Sequence, residues 1–170
     1  MPKFKKGYEN SMRRSDREIK DINEIIEILN NTNVLHLGIN NEIYPYIVPL
    51  SFGIDYFDNK ITLYVHSAQN GLKLDLIKKN NNVSFESEEF IKTEPIKHGI
   101  TTRYKSVIGF GKAYILENDL DKKKGLDLIV KHYGYLDFNL DKCNNFEYVT
   151  VIKIEVEEIY AKKNIKEENK

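Results

Sequence analysis

The segment Tyr64-Val65-His66-Ser67-Ala68-Gln69-Asn70-Gly71-Leu72-Lys73 gathers side chains suited to holding an anion: an imidazole, a hydroxyl and an ammonium around a short polar loop. Its pattern reads as a strand end, a turn at Asn70-Gly71 and the start of a helix. A helix N-terminus offers free N–H groups and the positive end of its dipole, so Ser67 and Lys73 beside it would complete a phosphate site. The spacing Ser-x-x-x-Gly-x-Lys is not the nucleotide-triphosphate loop, and a lysine in a first helical turn also serves simply as a solvated cation. His66 would bind phosphate, orient a substrate or supply a proton; as a bare strand end it would be a polar cap.

Tyr44-Pro45-Tyr46-Ile47-Val48-Pro49-Leu50-Ser51-Phe52 places two prolines in what otherwise reads as a strand. Proline brings no N–H to a ladder, so this segment is either an edge strand protected from aggregation or a place where backbone groups face a ligand. Of the other histidines, His36 lies in an apolar strand as a core or ligand-facing residue, while His98 and His132 read as surface positions. No His/Asp/Glu spacing argues for a metal, and no Ser/His/Asp or Cys/His set is evident. The single cysteine, Cys143, reads as an ordinary free thiol in a reducing compartment.

Elements that could position these residues follow from periodicity. Asp21 with Glu24 makes a capping-box-like start, and Ile22, Ile25, Ile26 and Leu29 recur at helical spacing, which predicts a helix over 21–31. Val34 to Ile39 and Tyr44 to Ile54, joined at Asn40-Asn41, read as a hairpin, and Ile61 to Val65 as the third strand of a meander. A short helix over 71–79 follows, then a strand over 83–88, a connection over 91–100 and a long strand from Tyr104 to Leu116. In that strand Gly109 and Gly111 suggest a bend or a close backbone approach. Asp119 to Tyr133 is a second long helix, and Tyr148 to Val156 the closing strand.

The expectation is therefore mainly β with flanking helices: six strands that hide their edges by closing into a barrel. A doubly wound parallel sheet is disfavoured, since no G-x-G-x-x-G opens a helix after the first strand. Residues 1–20 read as an N-terminal arm, 21–160 as one domain and 161–170 as a charged, solvated tail. With 26 basic and 26 acidic residues the chain has no net charge, which argues against nucleic acid as a partner. No apolar run reaches the ~20 residues of a membrane span and the first residues lack a signal-peptide core, so the expected setting is cytoplasmic, with no membrane partner.

Four segments in order, Met12 to Ile19, Tyr44 to Gly53, His66-Ser67-Ala68 with Gly71-x-Lys73, and Tyr104 to Gly111, resemble the pyridoxamine 5′-phosphate oxidase-related flavoproteins, nearest the nitroimidazole-resistance branch. The resemblance implies a six-stranded split β-barrel, a homodimer and FMN at the subunit interface. It would set Ile47, Val48, Pro49, Leu50 and Ser51 along the isoalloxazine, and His66, Ser67, Ala68, Leu72 and Lys73 around the ribityl phosphate. Arg103, Tyr104 and Ser106 would close the site from the other subunit, with His66 as the catalytic candidate. The implied activity is an FMN-dependent oxidoreductase acting on a small molecule, with nitro reduction one form of it. The ending Ile154-Glu155-Val156-Glu157-Glu158 departs from the basic substrate-phosphate pocket of a true pyridoxamine 5′-phosphate oxidase, so vitamin B6 oxidation is not expected. A barrel that binds flavin or haem without turnover is the alternative, because fold alone does not fix function.

Overall fold

The computed structural model describes residues 12–140 and 148–165, so Cys143, the first part of the expected arm and the end of the expected tail lie outside the described residues. Helix α1 spans Ile22–Asn31 and starts where the sequence places it. The Asp21 carboxylate accepts the Asn23 N–H at 2.9 Å, while Glu24 turns away from the cap to meet Lys163 Nζ at 2.7 Å. Ile25, Ile28 and Leu29 form its buried stripe.

One antiparallel sheet carries the rest of the fold. Its strands are β1 (Glu18–Ile19), β2 (Leu35–Ile39), β3 (Tyr46–Leu50), β4 (Phe52–Phe57), β5 (Lys60–Ala68), β6 (Asn82–Ile96), β7 (Gly99–Ile115) and β8 (Val149–Asn164). Lateral order is β3-β2-β6-β7-β8-β5-β4, with β1 added on β8. The expected fold class is the one found, but with eight strands rather than six, and the expected closure does not occur: β3 and β4 are the two edges and do not pair. Both come from the single run expected over 44–54, which breaks at Ser51 so that one half joins each edge. Because one residue links the two edges, the sheet must curl until they meet at that point, and the barrel stays split.

Two further boundaries differ from expectation. The connection expected at 91–100 is strand, since β6 and β7 pair out to Ile96 opposite Gly99. Pro95 is accommodated close to the hairpin end, where a missing ladder bond costs least. Strand β8 continues to Asn164, so residues 161–164 belong to the sheet and Ala161 is buried, and β1 pairs with that extension.

Leu35, Leu37, Phe52, Leu63, Phe85, Val107, Ile152 and Ile154 fill the interior of the curled sheet, with α1 and α2 (Leu72–Lys79) packed against it. Helix α3 (Asp119–His132) lies outside on β4, β5 and β8. It comes so close that a Cβ on Gly53 would sit 2.5 Å from the Ile129 backbone nitrogen. Gly109 and Gly111 make the close approaches their sequence suggested: the first lies against the Phe85 ring, the second against Glu155 where β7 and β8 shift register.

Candidate functional site: an anion cradle beside the split

Strand β5 ends at Ala68, and the chain turns through Gly71, at φ +149, into α2. That φ lies in the region favouring glycine, and the space a Cβ would take is open. Helices α1 and α3 are capped by side chains, Asp21 and Asn118, whereas α2 has no side-chain cap at all. Beside this uncapped end Lys73 Nζ donates to Ser67 Oγ at 3.0 Å. Ser67 is buried, and no carboxylate partners Lys73 among the described residues. A buried hydroxyl, an ammonium with no carboxylate partner among the described residues and an uncapped helix start are the groups a phosphate cradle would use.

His66 is the preceding residue on β5 and points outward, exposed. Partial desolvation first and the Lys73 charge second hold its imidazole below the usual histidine range. Phe52 pairs with Val65, which sets Ser51, one residue further, at the level of His66. The split and the cradle therefore lie side by side. Tyr133 fixes this joint: its hydroxyl accepts the Phe52 N–H at 3.3 Å and donates to the Asn33 carbonyl at 2.6 Å. His132, expected at the surface, is instead half-buried. Its ring lies 4.4 Å from that of Phe52, and Nε2–H donates to the Thr32 carbonyl at 2.8 Å, which fixes the tautomer.

Along the β3 edge the side chains alternate: Val48 and Leu50 pack toward the core, while Ile47 and Pro49 face out, and Ser51 is exposed. As β3 pairs only with β2, backbone groups on its other side face the split. Ile47 also lines an open groove of about 720 Å³ on the outer face, together with His36, Gly38, Ser84, Glu86 and Ile108. Leu72 is half-exposed at the start of α2, and Ala68 is exposed.

The structure does not bring Arg103, Tyr104 and Ser106 to this cradle. Ser67 pairs with Thr150 on β8 and Ser106 with Lys162, twelve positions on, or roughly 40 Å of strand. Arg103 is engaged within its own sheet, with Nε 2.8 Å from Glu94 and a second nitrogen 3.2 Å from Asn164. Missed by sequence reasoning were Tyr133 and His132, whose contacts with Asn33 and Thr32 each span 100 residues and leave no local signal.

An open, split antiparallel barrel defines the class of protein. A family model described as pyridoxamine 5′-phosphate oxidase matches residues 21–163, and the chain belongs to that family. Its structure is similar to that of a candidate 5-nitroimidazole antibiotic resistance protein of Bacteroides thetaiotaomicron VPI-5482, at 30% identity and a TM-score of 0.72 over 85% of each chain. The flavocytochrome Anf3 of Azotobacter vinelandii shares the fold at 15% identity and a TM-score of 0.75, over 92% of this chain and 73% of that one. A FAD-binding protein of Mesorhizobium loti does so at 20% identity and a TM-score of 0.63, over 88% and 98%. Among curated proteins, none matches the chain.

Proposed function

We propose that this chain binds FMN and works as a homodimeric oxidoreductase on a flat small molecule. The observation that carries this reading is the Lys73–Ser67 hydrogen bond beside the uncapped start of α2. Those groups and the N–H groups of Leu72 and Lys73 would hold the phosphate, with the ring along Ile47 to Ser51 at the split. A bound flavin supplies two-electron transfer. Around it, the protein's part is to bind, to exclude water and to place the His66 imidazole where it accepts or donates a proton. Flavin binding by relatives of the same fold supports the reading, as does the name of the 30%-identical relative, which makes nitroimidazoles the first substrates to try.

Position supports the dimer. Tyr104 and Ser106 on β7 pair with the far end of β8, too distant to serve the cradle of their own chain, so those of the partner subunit would close it. The outer face of β3-β2-β6-β7 offers apolar surface for pairing, with Ile47 65% and Ile108 42% exposed.

A visible absorption spectrum of the purified protein, repeated after FMN loading and desalting, tests this. Bound flavin bands that vanish in Lys73→Ala are the expected result. A protein that stays colourless after loading overturns it, and a Soret band instead would make haem the ligand.

A further inference from the structure

On the outer face of the sheet, away from the anion cradle, a histidine and two glutamates converge. His36 on β2 pairs across the ladder with Glu86 on β6, and Glu88 stands two residues further on the same face. All three point outward because Leu35, Leu37, Phe85 and Ser87 take the inward positions of the alternation. Directly paired side chains start about 5 Å apart and diagonal ones about 7–8 Å, so the longer glutamate arms reach the imidazole from two directions. His36 Nδ1 lies 3.2 Å from Glu86 Oε2 and 3.7 Å from Glu88 Oε2, and the three donor atoms fall within 4.8 Å of one another. Donors about 2.1 Å from one zinc ion at near-tetrahedral angles stand about 3.4 Å apart, so small side-chain rotations suffice.

Charge gives the second argument. Glu24, Asp55 and Glu94 each meet a lysine or arginine, whereas among the described residues the one cationic partner of Glu86 and Glu88 is His36, and the two carboxyl groups also hydrogen-bond each other. Two carboxylates then share a single imidazole. His36 and Glu86 also form part of the wall of the 720 Å³ groove, so the open side of the cluster faces room for further ligands.

We propose that His36, Glu86 and Glu88 form a binding site for one divalent transition-metal ion, zinc above manganese, whose remaining coordination positions face the groove and take water or an oxygen donor. One nitrogen and two carboxylate oxygens suit both ions, and zinc is the tighter by the general order of divalent affinities. The set is invisible as a sequence motif, because the histidine and its partner glutamate are 50 residues apart and meet only through β2–β6 pairing. All three donors come from one protomer, but they lie on the face proposed above for pairing, so in the dimer the ion and its groove would sit at the subunit interface.

Calorimetric titration of zinc chloride into chelator-treated full-length protein tests it. One ion per chain is expected, weakened about tenfold or more in His36→Ala and in Glu88→Gln, with manganese weaker than zinc. Cobalt(II) as a spectroscopic stand-in would give visible bands that His36→Ala abolishes, and His36→Gln serves in its place if the alanine variant does not fold. Zinc bound equally by wild type and the H36A/E88Q double variant, or not at all at 100-fold excess over protein, overturns the site. Flavin absorbance is read on the same samples, so loss of metal binding with flavin retained separates this proposal from the one above.

Discussion

His66 and Lys73 form the pair whose chemistry is most directly measurable. With the imidazole partly desolvated and Lys73 nearby, the folded-state pKa lies below the ordinary 6.5, so the His66 ring signals in an NMR pH titration are expected to move only at lower pH. Removing the ammonium in Lys73→Ala should raise that midpoint partway, leaving the larger desolvation effect in place. The sign for stability follows. Above the unfolded value both states are neutral and nothing is lost; as pH falls below it the unfolded chain takes the proton first, so folding weakens down through the folded-state pKa. A His66 midpoint at or above 6.5 in wild type would contradict this. Ser67 shows why residue type alone was insufficient: its hydroxyl matters because it is buried and meets Lys73, and both facts depend on where β5 ends.

At the scale of elements, the packing of α3 on β4 holds the split in place. Gly53 leaves no room for a side chain against the backbone of Leu128 and Ile129, so Gly53→Ala should force the helix outward. A cost of about 1–3 kcal/mol is expected for such overpacking, read as a fall of several degrees in Tm by calorimetry. Tyr133→Phe removes the group that satisfies both the Phe52 N–H and the Asn33 carbonyl. About 1–2 kcal/mol should be lost, and flavin retention should fall with it, because the Ser51 joint is no longer fixed. If Tyr133→Phe melts and binds like wild type, the joint is held by something else. Strand β3 illustrates what sequence reading achieved here: Pro49 does lie in an edge strand, one of the two readings the prolines left open, but the run Tyr44 to Ile54 reads as one strand because nothing in its alternation shows that Leu50 and Phe52 pair with different neighbours.

For the whole molecule, the proposed dimer turns on the outer face of the sheet. Ile108→Lys places a charge on an exposed apolar position between Glu86 and Tyr160, leaving the core untouched. Light scattering is expected to show a dimer for wild type and a shift toward monomer for the variant, with flavin retention falling in parallel. A wild-type monomer that holds flavin as tightly would dismiss the shared site. Among the described residues no helix is long and apolar enough to cross a membrane.

What the sequence by itself determined were the local choices: the three helices and the Asp21 cap of the first, most of the strands by alternation, the glycines of close approach, and the strand-to-helix turn between Ser67 and Lys73. Each rests on interactions within a few residues, which periodicity and residue type report directly. Tertiary structure decided where the sheet opens, that Ser51 is its hinge point, that Tyr133 and His132 clamp it, and that His36 faces Glu86 and Glu88. These depend on pairings between residues 50 to 100 apart, and strand alternation says which face a side chain takes without saying which strand lies beside it.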